Sequence, residues 1–315
     1  MRTRPRSVAT CLAAALSATL LVATLGSAGA AFAGSPAAGT PSAVPNLLKN
    51  GAFSEGKPIG NGCSDVGEGY TIADWTPGPN LVQDCGYQYS MTPPGVQQYV
   101  SLTLNGNGTL TQTVATVPGT TYLVQWDGAA YQLGNPLVKV LQVIWNGKVV
   151  AQHSYSGAGE TASKINWSTG KVVVTATSTT STLEFADATP VPNDGRAPVG
   201  APYVAAASMA GDANLFLPPT ASLSPTGKLT AIVHNGEGEP FTQTGLTVRV
   251  YASYKTVSYA PATKQLLATA PVVNGQAVLQ LKLPSSLKGQ TLSAHANLTG
   301  PNYIPTTTNI MIKVT

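Results

Sequence analysis

The chain has 315 residues, 10% of them charged, with 32 Gly and 24 Pro. An ordinary globular chain is about 25% charged, so this composition points to many strands and many turns. The formal net charge of +4 includes three arginines in the first six residues, and without them the remainder is near +1. That removes the electrostatic argument for a nucleic-acid partner.

Arg2, Arg4 and Arg6 precede an apolar run from Cys11 to about Leu25, and Ala31-Phe32-Ala33 offers small residues where a signal peptidase reads. This is the pattern of a secretory signal peptide over 1–33, cleaved after Ala33. The run is too short for a membrane span, and no later stretch reaches the roughly 20 apolar residues that a span needs. The mature chain is therefore expected to be secreted and extracellular, without membrane insertion. Residues 34–45, GSPAAGTPSAVP, read as a disordered lead.

From 46 to 210 the sequence reads as strands. In QYVSLTL (98–104), Val100, Leu102 and Leu104 alternate with Tyr99, Ser101 and Thr103, the pattern of a half-buried strand. Leu110, Gln112 and Val114 share one face of the next run, and Tyr122, Val124 and Trp126 share one face of the run after it. Asn146-Gly147 between two β-rich runs predicts a type I′ hairpin. YVAAASMAG (203–211) has helix-favouring alanines, but it follows a Pro-rich loop and reads as a closing strand. The Pro-punctuated segment near 211–217 reads as a linker. Residues 218–315 then carry strands at the spacing of a second sandwich.

Cys63 and Cys85 are the only cysteines after the signal. In an oxidising compartment a disulfide is their default, and no His or further Cys stands near them for a metal. His153, His234 and His295 show no metal-ligand spacing. No nucleophile elbow, Walker motif or dinucleotide Gly-rich motif occurs in the mature chain. A glycosidase needs two carboxylates about 5 to 9.5 Å apart; the acids of the first block read as solvated groups in loops and at strand ends. No catalytic residue is assigned, and the chain is read as non-enzymatic.

The four tryptophans all fall in the first block. Trp126 and Trp145 read as core or cross-strand packing, whereas Trp75 and Trp167 stay open between core and site. Aromatic faces can stack on the C–H patch of a sugar while polar groups take its hydroxyls. The cysteine-closed loop combines Tyr70, Asp74, Trp75 and Asn80 and is the leading candidate ligand site. Tyr131, in the YQLGNP loop, is the next.

The ordered series NLLKNGAFSEG, DWTPG, GVQQYVSLTLNGNGTLTQTVATVPGTTYLVQWDGAA and WSTGKVVVTATSTTSTLEFAD resembles the galactose-binding-like jelly rolls of secreted bacterial proteins. These include carbohydrate-binding modules and the bacterial relatives of domain-of-unknown-function family 642. VVNGQAVLQLKLPSSLKGQTLSAHANLTGPNYIPTTTNIMIKV resembles bacterial immunoglobulin-like repeats. The resemblances imply an all-β chain, a galactose-binding-like jelly-roll sandwich over 46–210 and a C-terminal immunoglobulin-like β-sandwich over 218–315. They imply a non-catalytic protein that binds an extracellular or cell-wall polysaccharide. The alternatives are a matrix component, an inhibitor of a secreted enzyme, or a glycan-active hydrolase. Many of the resembling modules hold a structural calcium. Here Ala52 and the alanines of VAAAS (204–208) stand where acidic ligands would, which leaves Asp212 as a candidate oxygen donor and no assigned metal site.

Overall fold

A computed structural model describes residues 46–55, 62–66, 72–78, 80, 82–86, 92–102, 107–131, 134–161, 164–192, 199–255 and 262–315. The expected signal peptide and disordered lead lie outside these residues. The first half contains β1 (Cys63–Val66), β2 (Thr76–Pro77), β3 (Val82–Gly86), β4 (Gln98–Ser101), β5 (Thr109–Ala115) and β6 (Thr121–Ala130). It continues with β7 (Val138–Trp145), β8 (Lys148–Ser156), β9 (Ser168–Thr175), β10 (Thr180–Asp187) and β11 (Pro202–Gly211). These build a six-stranded sheet, β1-β3-β4-β11-β6-β9, and a five-stranded sheet, β2-β5-β10-β7-β8.

The two sheets enclose one core. Two-residue alternation sends Leu110, Gln112 and Val114 inward from β5, and Tyr122, Val124 and Trp126 inward from β6. At the β7–β8 hairpin Asn146 has φ 50° and Gly147 φ 77°, the two positive values that a type I′ turn requires. β11 is a strand despite its alanines, because it lies between β4 and β6 and both supply ladder partners. A bulge interrupts it between Ala205 and Ser208, where Ala206 has φ 49°. β4 departs from the half-buried expectation, since Tyr99, Val100 and Ser101 are all buried. Both sides of this strand are covered.

The opening segment forms no strand; it seats Leu48 and Phe53 in the core and is held by three carboxamides. Asn46 donates to Ala207 O and accepts from Leu48 N and Met209 N. Asn50 donates to Glu55 O and Ala73 O. Buried Gln112 accepts from Lys49 N and donates to Lys49 O and Asp74 O.

The second half contains β12 (Ala213–Phe216), β13 (Thr220–Leu223), β14 (Lys228–Asn235), β15 (Thr247–Tyr254), β16 (Thr263–Pro271), β17 (Gln276–Gln280), β18 (Thr291–Thr299) and β19 (Thr306–Val314). They form a three-stranded sheet, β12-β14-β17, and a five-stranded sheet, β13-β19-β18-β15-β16, around a second apolar cluster. The chain is thus an all-β pair of sandwiches. The stretch 211–217, expected as a linker, contains β12, which pairs with β14. Gly211 N donates to Asn302 O and Ile304 N to Gly211 O, while Thr121 Oγ1 donates to Asp212 O and accepts from Gly236 N. These bonds tie the end of β11 directly to the second sandwich.

Candidate functional site

Cys63 and Cys85 form a disulfide and face each other in the β1–β3 ladder. The chain between them is not a free insertion. It crosses from the six-stranded to the five-stranded sheet, where β2 pairs with β5. That crossing carries Trp75 into the core, 3% exposed, with its indole N–H donating to Asn50 O at 3.1 Å. Phe53 and Phe185 pack on it at 5.3 and 6.0 Å between ring centroids. The reading of Trp75 as a sugar platform is therefore corrected: no indole face is left for a ligand. Asp74, at φ 65°, lies 3.9 Å from Lys49, and Asn80 Nδ2 donates to Asn107 O. Tyr70 lies outside the described residues. Among the described members of the expected set, Asp74 and Trp75 support the opening segment and only Tyr131 lies in an aromatic surface cluster.

That cluster is on the outer face of the six-stranded sheet. Val100 and Val204 point inward, so Tyr99 and Tyr203 beside them point out. Cys85 lies opposite Tyr99, and Ala129 lies opposite Tyr203. With Ala205 they form a floor of small residues that leaves room for rings. Trp167, just before β9, meets Tyr99 edge-on at 5.7 Å and Tyr203 at 6.1 Å; Tyr131, just after β6, meets Tyr203 at 6.2 Å. Tyr99 and Tyr203 are 2% exposed, whereas Trp167 and Tyr131 are half-buried. The Tyr131 ring rests on Gly200, where a Cβ would come within 2.2 Å of Cδ1.

Polar groups frame this layer. Thr169 Oγ1 donates to Asp127 Oδ1 at 2.8 Å on the same outer face. Glu160 Oε1 accepts from Asn166 N at 2.9 Å, while buried Oε2 has no hydrogen-bond partner among the described residues. Burial pushes the Tyr203 hydroxyl well above its ordinary range, and the nearby Tyr99, Tyr131 and Glu160 push it the same way.

Lys139 supports this arrangement from inside. It is fully buried, and its Nζ donates to Pro136 O at 2.5 Å and Val199 O at 2.6 Å. It thereby ties the loop after Tyr131 to the residue preceding Gly200. Burial pushes its ammonium pKa down, and Asp187 opposes that shift. Asp187 Oδ1 accepts from Thr189 N, and burial raises its pKa. Sequence reasoning passed over Lys139. The signal was its parity: in VKVLQVIW it shares the inward register of Leu141, Val143 and Trp145.

The three histidines each lie against an aromatic ring: His153 on Trp126 and Tyr155, His234 on Phe216, His295 on Tyr251. A cleft of about 490 Å³ between residues 135–140 and 190–192 is lined by Pro, Val and one amide, Asn135. Its lining offers no acid–base group. The residues where the resemblance implies calcium do not fit that ion. Ala52 is exposed, and Gly51 lies so close to Ala207 that a Cβ would meet Ala207 O at 1.9 Å. Amide and backbone hydrogen bonds fill this contact, whereas calcium takes six to eight oxygen ligands. Asp212 lies instead against Gly236 of the second sandwich.

No protein-family model matches the chain, and no curated protein matches it. Among solved structures it is similar to TmCBM61 in complex with beta-1,4-galactotriose, at 16% identity and TM-score 0.36, over 53% of this chain and 99% of that one. It is similar to a family 35 carbohydrate binding module from Clostridium thermocellum at 14% identity and TM-score 0.31, over 47% and 96%. It is also similar to the CBM22-1-CBM22-2 tandem domain from Paenibacillus barcinonensis Xyn10C at 10% identity and TM-score 0.33, over 84% and 96%. Likenesses at these TM-scores decide neither fold nor ligand.

Proposed function

We propose that this is a secreted, non-catalytic protein that binds an extracellular or cell-wall polysaccharide on the outer face of its six-stranded sheet. The supporting observation is the aromatic layer. A solvent-side sheet face ordinarily carries polar residues, yet here buried Tyr99 and Tyr203 hold half-buried Tyr131 and Trp167 at its rim. Such rings suit the C–H face of a sugar, and the exposed Asp127–Thr169 pair suits its hydroxyls. In this reading residues 46–210 bind, and residues 218–315 hold them against a wall or away from it.

The test is a pull-down of the mature chain on cellulose, chitin, peptidoglycan and pectin, followed by titration of the polymer that retains it. Trp167→Ala and Tyr131→Ala should each weaken binding. Loss of a ring face with its buried area removes roughly 2 to 3 kcal/mol, or about 30- to 150-fold in affinity. Undiminished binding by both folded variants would remove this face from consideration.

A further inference from the structure

The near-neutral total of residues 46–315 conceals a division. Residues 46–217 hold seven Lys and Arg against eleven Asp and Glu, whereas residues 218–315 hold seven against two. Those two acids, Glu237 and Glu239, lie in the turn after β14, where their backbone N–H groups donate to Asn235 Oδ1. Glu237 also accepts from Thr175 Oγ1 of the first sandwich. None of the five strands β13, β19, β18, β15 and β16 contains an acid.

Alternation sends Val248, Val250, Ala252, Ala294, Ala296, Ile310 and Ile312 of this sheet into the core. Arg249, Tyr251, Lys264, His295 and Lys313 therefore face out. The three cations are exposed. His295 stacks on Tyr251 at 5.4 Å with 16° between the rings, and Lys264 Nζ lies 4.4 Å from the Tyr251 centroid. The cation–π contact fixes the Lys264 ammonium without neutralising it. Burial and then the Lys264 charge push the His295 pKa down.

We propose that this outer face is a docking surface for an anionic extracellular polysaccharide bearing carboxylates along its chain. The surface is a second contact, separate from the Tyr131 and Trp167 layer. Its cations stand on different strands, and the same face carries Ser253, Thr269, Ser293 and Asn297 together with exposed Leu266 and Met311. Duplex DNA presents a charge about every 1.7 Å, a density that three dispersed cations do not match. A polyuronate carries one carboxylate per sugar ring with hydroxyls between, which suits separated cations set among hydroxyls and amides.

The experiment is affinity electrophoresis of the mature chain in gels holding polygalacturonate or its fully methyl-esterified form, over a range of salt. The chain should bind the acid form at least tenfold more tightly than the ester. An Arg249→Ser, Lys264→Gln, Lys313→Gln variant should lose that difference at an unchanged melting temperature. Its slope of log affinity on log salt should fall by up to about one per cation removed. Lys264→Arg should keep the difference, and so should Trp167→Ala, which separates this surface from the first. Equal binding of acid and ester by the wild type, or an undiminished triple variant, would overturn the proposal. Displacement of polygalacturonate by an equal charge of duplex DNA would assign the surface to nucleic acid and overturn it as well.

Discussion

The inner and outer faces of the six-stranded sheet are both aromatic, yet they do different things. Inside, Trp126 donates to the Tyr155 hydroxyl and touches Phe185, and the opposite sheet closes over them. Outside, Tyr99 and Tyr203 are nearly as buried, but among the described residues it is loop residues such as Ile165, Trp167 and Val96 that lie over them. A second sheet uses up every ring face, whereas a loop cover leaves a rim. The pair shows that side-chain type does not separate core from site; what lies across from the ring does.

The sharpest way to break this comparison is to remove one indole from each side. Trp75→Ala should cost about 3 to 5 kcal/mol, the range for emptying a large buried site. Trp167→Ala removes a half-buried ring and should cost clearly less, while lowering glycan affinity. Thermal melts of both variants check the ranking. Equal losses would mean that the outer layer is simply more core.

Acids extend the comparison. Outer-face Asp127 is paired with Thr169, while inner-face Asp84, opposite Val100, has an Oδ1 with no hydrogen-bond partner among the described residues. Burial pushes the Asp84 carboxyl up to about 7 from 3.8, against a smaller lowering by the Cys85 N–H. The folded group then keeps its proton up to about pH 7, while the unfolded one has released it above 3.8. Stability from this group is accordingly full below the unfolded value and falls as pH rises from about 4 to 7. Asp84→Asn should flatten that fall and be more stable than the parent at pH 8, on the order of 1 to 3 kcal/mol. Denaturant melts at pH 4, 6 and 8 read it; a parallel pH dependence in the two proteins would refute the assignment.

The smallest effect lies away from both faces. Gly147 has open space around it, so Gly147→Val meets only the cost of a left-handed backbone, about 1 to 2 kcal/mol. An unchanged melting temperature would mean the hairpin tolerates a different turn.

Local rules made part of this protein legible. Two-residue alternation marked β5 and β6, and the need for two positive φ values marked the Asn146-Gly147 turn. Having only two cysteines beyond the expected signal peptide named the disulfide partners. The candidate site was legible only in Tyr131. The other rings of its layer come from β4, β11 and the approach to β9, which no local pattern brings together.

By itself, the sequence determined an all-β chain, its main hairpin and its disulfide, because each depends on neighbouring residues or on a count. Tertiary structure alone decided that Trp75 turns inward, that Lys139 reaches two carbonyls at the mouth of the core, and that Asp212 belongs to a joint between sandwiches. Strand pairing is the physical reason. Alternation says that two faces differ, but which face meets another sheet depends on partners far along the chain.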